Sequence, residues 1–228
     1  MVKESKRPTL NNTLLVAGIV VLVLALGVTA IIVNNNANDS ISAKEAAAAK
    51  AKGLELYRQG KWDSALSELK KAVDGNPNDM TAQFKLAFSY EQKGMLDDAF
   101  KRYEEILKLN KSSADAHYSI GRILVEKRDL DKGIAELETA TKLNPSFTSA
   151  HAALADAYFQ KNQYANALAT YTKLEKLIGK NDTLYLSRIH TAKGQILKQG
   201  GKDDEARREF TLAVQLDKNN KEAAAALK

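Results

Sequence analysis

The sequence lacks cysteine altogether and holds only three prolines, three histidines and one tryptophan among 228 residues. Without a thiol there is no disulfide framework, thiolate nucleophile, cysteine zinc ribbon or iron–sulfur ligand set. Either side of a membrane is open to such a chain. Scarce proline, abundant alanine and 7% aromatics favour helix over sheet. No block of one charge occurs either. The 34 Lys and Arg against 28 Asp and Glu leave +6, with the signs interspersed. A basic stripe of the kind that tracks phosphates is therefore missing, and no nucleic-acid partner is expected. There is no Gly-x-Ser-x-Gly, and Gly200-Gly201-Lys202-Asp203 lacks the first glycine and the Ser/Thr of a phosphate loop. No catalytic centre, cofactor, metal or small-molecule substrate is expected.

One long hydrophobic run is present. Residues 14–33 (LLVAGIVVLVLALGVTAIIV) carry no charge, and about 1.5 Å of rise per residue lets them cross roughly 30 Å of hydrocarbon. The expected organisation is a tail 1–12, a transmembrane anchor 13–33, an Asn/Ser-rich linker 34–42 and a helical domain 43–228. Lys3, Lys6 and Arg7 precede the run against Glu4 alone, and no cation follows until Lys44. That asymmetry favours a cytoplasmic N-terminus, a single pass through the cytoplasmic (inner) membrane and an extracytoplasmic domain. Val28-Thr29-Ala30 would suit signal cleavage, but the apolar run continues through Ile31-Ile32-Val33 and is long for a signal core.

The remainder repeats every 34 residues. Gly53, Ala87, Gly121 and Ala155 are 34 apart, and Gly194 follows after 39. Ala65, Ala99, Gly133, Ala167 and Ala206 keep the same rhythm. So do Leu69, Tyr103, Leu137, Tyr171 and Phe210, and so do Ala72, Ile106, Ala140, Leu174 and Ala213. Small residues that allow close approach, with large ones three and four positions away, describe two packed helices per unit. Breaks at Gly60-Lys61, Gly94-Met95, Asn76-Pro77 and Asn144-Pro145 fall between helices.

These columns resemble the tetratricopeptide repeat. The units are 46–79, 80–113, 114–147, 148–181 and 187–220, with a partial capping helix 221–228 and residues 182–186 as a loop insertion. The resemblance implies an all-α fold: a right-handed α-solenoid of five helix-turn-helix repeats behind one transmembrane helix. Lys52 and Lys193 occupy a slot that is apolar elsewhere, as suits the wetter outer faces of terminal units. His117, His151 and His190 share the fourth position of successive units. They are thus a repeat apart, too far for a shared metal, and read as framework residues.

The resemblance implies a concave groove, lined by the first helix of each unit, that binds an extended peptide or protein partner. Positions two, five, nine and twelve share the inner stripe. They supply the candidate groove residues Lys50, Tyr57, Phe84, Phe88, Glu91, Tyr118, Arg122, Asp156, Phe159 and Gln195. A two-cation carboxylate clamp is not matched, since Leu54, Asp115 and Ser119 stand in its slots. The expected function is a membrane-anchored, non-catalytic adaptor or scaffold. The alternative is a structural subunit of a larger membrane or envelope complex of the assembly, secretion or cytochrome-maturation type.

Overall fold

A computed structural model describes residues 43–180 and 182–228. The expected tail 1–12, anchor 13–33 and linker 34–42 lie outside the described residues. Helix α1 spans 43–58. It is followed by α2 (Trp62–Gly75), α3 (Met80–Gln92), α4 (Leu96–Leu109), α5 (Ala114–Glu126) and α6 (Leu130–Leu143). Then come α7 (Thr148–Gln160), α8 (Tyr164–Ile178), α9 (Thr183–Gln199), α10 (Asp203–Leu216) and the short α11 (Lys221–Ala226). Among the described residues there is no strand, and no helix is long and apolar enough to cross a membrane.

From α2 onward each helix packs chiefly on its neighbours in the chain, and α5 also touches α7. The molecule is an all-helical solenoid, a stack whose core is shared between successive units. The small-residue columns are the closest approaches. A Cβ on Gly121 would lie 2.7 Å from Leu137 Cγ, and one on Gly53 would lie 2.8 Å from Leu69 Cγ. Leu69, Leu137, Ala72, Ala140 and Ala213 are buried, as interhelical filling requires.

One backbone device recurs inside every unit. Gly60, Gly94, Arg128, Asn162 and Gly201 all have φ between 60° and 74°, the left-handed region. The residue after each donates its N–H five residues back, as Lys61 does to Leu56 and Asp129 to Leu124. This is a Schellman closure, which satisfies carbonyls at the helix end.

A second device joins units. Gln83 Nε2 donates to the Pro77 carbonyl at 3.0 Å, and His151 Nε2 faces the Pro145 carbonyl at 3.0 Å. His117 Nε2 lies 3.1 Å from the Lys111 carbonyl. In the second, third and fourth units the fourth residue thus ties the first helix to the loop before it. Ion pairs Lys93–Asp63, Lys127–Asp97 and Lys161–Asp131 repeat along the surface. Exposed pairs of this kind contribute little each.

Two details differ from the sequence reading. Residues 183–186 are helical, because Asp182 caps α9 by accepting the Tyr185 N–H at 2.9 Å. Lys193 does not face outward: it is 12% exposed, 3.1 Å from Glu175 and 2.9 Å from Glu209. An ion cluster between α8, α9 and α10 takes the place of an apolar contact there. Burial pushes the Glu209 carboxyl up, but hydrogen bonds from His190 and Lys193 outweigh it and hold the group below its ordinary 4.5.

Candidate functional site

The inner helices α1, α3 and α5 bring aromatic side chains together because positions five, nine and twelve lie on one helical stripe. Tyr57, Phe84, Phe88, Tyr118 and Arg122 line one open pocket of about 290 Å³. Tyr57 and Phe88 have ring centroids 5.7 Å apart, and Trp62, which opens α2, stands 6.2 Å from Phe88. On the other side Tyr118 meets Phe147 at 4.9 Å, and Phe84 meets Tyr103 at 6.1 Å. Edge and tilted contacts of this sort fix the rings in place while leaving a face open.

Cations sit over this aromatic wall. Lys85 Nζ is 4.5 Å from the centroid of Tyr57, and the Arg122 guanidinium is 5.5 Å from that of Tyr118. Both lie within cation–π range. Glu91, expected on the open groove, is instead a support: its side chain is 8% exposed and lies 3.4 Å from Arg122 Nη1. The Tyr103 hydroxyl donates to its other oxygen at 2.6 Å. Burial, with that carboxylate acceptor beside it, pushes the Tyr103 hydroxyl far above its ordinary value.

The other expected residues lie elsewhere. Lys50 is 2.7 Å from Asp79, so its charge ties α1 to the cap of α3. Asp156 lines a second cavity of about 330 Å³ beside Arg122, Arg128 and Gln160. It accepts a hydrogen bond from the Tyr171 hydroxyl, and burial holds its carboxyl above the ordinary 3.8 despite that donor. Phe159 packs on Tyr164 at 6.0 Å, away from the central pocket. Gln195 donates to Glu222 of α11 and lines a polar depression near the end of the stack.

Sequence reasoning missed Lys85, Phe147 and Trp62. Lys85 falls one position off the inner stripe, and Phe147 precedes α7 rather than lying in a helix. For Trp62 and Phe147 the available signal was an aromatic at a helix boundary.

The histidines have separate partners. His117 Nδ1 is 2.6 Å from Glu136, and His190 Nδ1 is 2.6 Å from Glu209. No group of three or more His, Asp or Glu among the described residues could hold a metal ion.

Family models of the tetratricopeptide repeat match residues 53–94, 89–138, 118–182 and 187–220. A comparison with the curated proteins finds no match. Solved structures do resemble the chain. A crystal structure of MamA protein has a TM-score of 0.70 at 22% identity, covering 78% of this chain and 94% of that one. MamA residues 41-end from Desulfovibrio magneticus RS-1 give 0.70 at 19%, covering 77% and 97%. YrrB, described as a TPR protein with an unusual peptide-binding site, gives 0.67 at 17%, covering 78% and 89%. At these identities the likeness concerns the fold alone.

Proposed function

The chain belongs to the tetratricopeptide-repeat family, and from that premise we propose that it is a membrane-anchored, non-catalytic adaptor whose concave face captures a protein or peptide partner. The observation that carries this reading is the central pocket, where Tyr57, Phe84, Phe88 and Tyr118 leave ring faces open beside Arg122. Aromatic and arginine side chains are the usual anchors of interfaces. YrrB, a protein of similar fold, is described as having an unusual peptide-binding site, which supports a peptide or protein as the class of partner.

Anchoring rests on the apolar run within residues 13–33 and the Lys3, Lys6 and Arg7 flank. In this reading the N-terminus is cytoplasmic and the repeats face outward from the cytoplasmic membrane. Tethering raises the effective concentration of the groove near a membrane complex without any new contact. Protease added to right-side-out spheroplasts should digest the repeats. Protection there, with digestion in inverted vesicles, would reverse the orientation.

A second reading, a structural subunit, is favoured by a surface away from the central pocket. A cleft of about 430 Å³ beside Leu186, Leu212 and Leu216 lies between the last two units, and Leu212 is 42% exposed. Photocrosslinking in intact membranes separates the two. Adducts from a probe at Phe88 favour the adaptor, and adducts confined to Leu212 favour the subunit.

A further inference from the structure

The central pocket carries charge that its own surroundings leave unmatched. Lys85 is half-buried over Tyr57 and, among the described residues, has no ion-pair partner. Arg122 lends Nη1 to Glu91 at 3.4 Å, the outer limit of a hydrogen bond, and 43% of its side chain remains open. Its planar fork has further donors to offer, suited to a carboxylate. One cation comes from α3 and the other from α5, and both line the pocket whose floor includes Phe88. The lining also holds Asp115, exposed and seven residues before Arg122 on α5. Seven residues of helix place it about 10 Å away along the axis. The pocket is therefore polarised, cationic over its aromatic wall and acidic at one end.

An ammonium on a half-buried side chain that has gained a ring face but no counter-ion still carries uncompensated charge, so an arriving anion meets less than the usual desolvation cost. Resting on the groove reading above, we propose that the partner presents an extended segment with a bulky apolar side chain and a carboxylate side chain within two residues of it. The apolar group enters between Phe88 and Tyr118, and the carboxylate faces Lys85 and Arg122. An extended chain advances about 3.3 Å per residue, so a carboxylate within two residues stays within about 7 Å of the anchor. Asp115 faces the segment's other end, where it accepts N–H groups or a cation and repels a second acid.

The chain supplies its own reporter, since Trp62 is the only tryptophan and stands 6.2 Å from Phe88. The full chain in mild detergent is titrated with acetyl-Gly-Ser-Phe-Glu-Glu-Gly-Ser-amide while tryptophan emission is followed. The comparison peptides replace both glutamates by lysine, or the phenylalanine by alanine. The acidic aromatic peptide is expected to bind at least about tenfold more tightly than either, with affinity falling as salt rises. Lys85→Met and Arg122→Met, checked for helicity by circular dichroism, should each weaken it by about tenfold and leave the lysine peptide unaffected. Equal binding of the lysine peptide, abolished by Phe88→Ala, would overturn the acidic preference and leave the groove reading standing. No response to any peptide from folded protein would overturn both.

Discussion

His151 and Pro145 are joined across a unit boundary: the ring Nε2 lies 3.0 Å from the proline carbonyl, which can only accept. Nε2 therefore carries the proton, and the buried Nδ1 has no partner. Burial, only partly offset by the Pro145 hydrogen bond, holds this imidazole below its ordinary 6.5. The unfolded chain then takes up the proton more readily than the folded one. Stability from His151 is complete above about pH 6.5 and declines as pH falls through the lowered folded value. Gln83 makes the same bond to Pro77 one repeat pair earlier, without a titrating group. His151→Gln should therefore keep the fold and flatten the decline in urea midpoint between about pH 7 and 5. Asp156, raised by burial, works in the opposite sense at lower pH and is common to both proteins. An unchanged difference between wild type and variant across that range would refute the linkage.

Gly121 tests the helix approach directly. An added Cβ would lie 2.7 Å from Leu137 Cγ and 3.0 Å from the Gly133 carbonyl oxygen. Neither atom is the free end of a flexible chain, so α5 and α6 must separate. Gly121→Ala should cost about 1–3 kcal/mol, read as a lower urea midpoint or melting temperature. A wild-type melt from this variant would mean the two helices do not meet at this point.

The repeat columns were legible because close packing leaves only small residues at Gly53, Gly121 and Gly194, whatever the partner element. The aromatic stripe Tyr57, Phe84, Phe88 and Tyr118 was legible for the same periodic reason. Charges were not, because a side chain of Lys or Glu length can choose among several partners. Lys50 turns to Asp79, Glu91 withdraws beneath Arg122, and Lys193 turns inward to Glu209. Periodicity assigns a residue to a face, and only the neighbouring helix decides whether its charge is free. Phe147 escaped notice because it lies in a loop, where helical spacing has no meaning.

Arg128 adopts φ 68°, where three equivalent turn positions hold Gly60, Gly94 and Gly201. Its Nη1 reaches Gln160 at 3.3 Å across an exposed surface, which offsets little of the backbone cost. Arg128→Gly should stabilise the domain by about 1 kcal/mol, and Gly94→Ala should destabilise it by a similar amount. A Cβ at Gly94 would meet nothing within 4 Å, so that cost is conformational only. Chemical denaturation of both variants checks the pair. Opposite signs are expected, and a loss in both would mean that Arg128 contributes more than its backbone costs.

A binding surface and a core respond differently to truncation. Leu86 is 1% exposed on α3, whereas Phe88, two residues on, is only half-buried and faces the pocket. Truncating a buried leucine to alanine costs about 2–5 kcal/mol of stability through the cavity it leaves. Phe88→Ala loses ring contacts to Tyr57 and Trp62 but opens onto an existing pocket, so its stability cost should be smaller. Tyr118→Ala loses Phe147 as a neighbour and a partly buried contact with the core that α6 and α7 share, so its stability cost should exceed that of Phe88→Ala while staying below that of Leu86→Ala. Partner capture should behave in reverse. An anchor residue lost from an interface costs about 1–3 kcal/mol of binding, while Leu86→Ala should leave capture intact in whatever fraction remains folded. The measurement is melting temperature beside yield of the crosslinked partner, for each variant in the same membranes. Undiminished capture by a folded Phe88→Ala/Tyr118→Ala double variant would take the partner off the concave face. The exposed Leu177 and Leu212 would then be the next residues to probe, at 39% and 42% exposure.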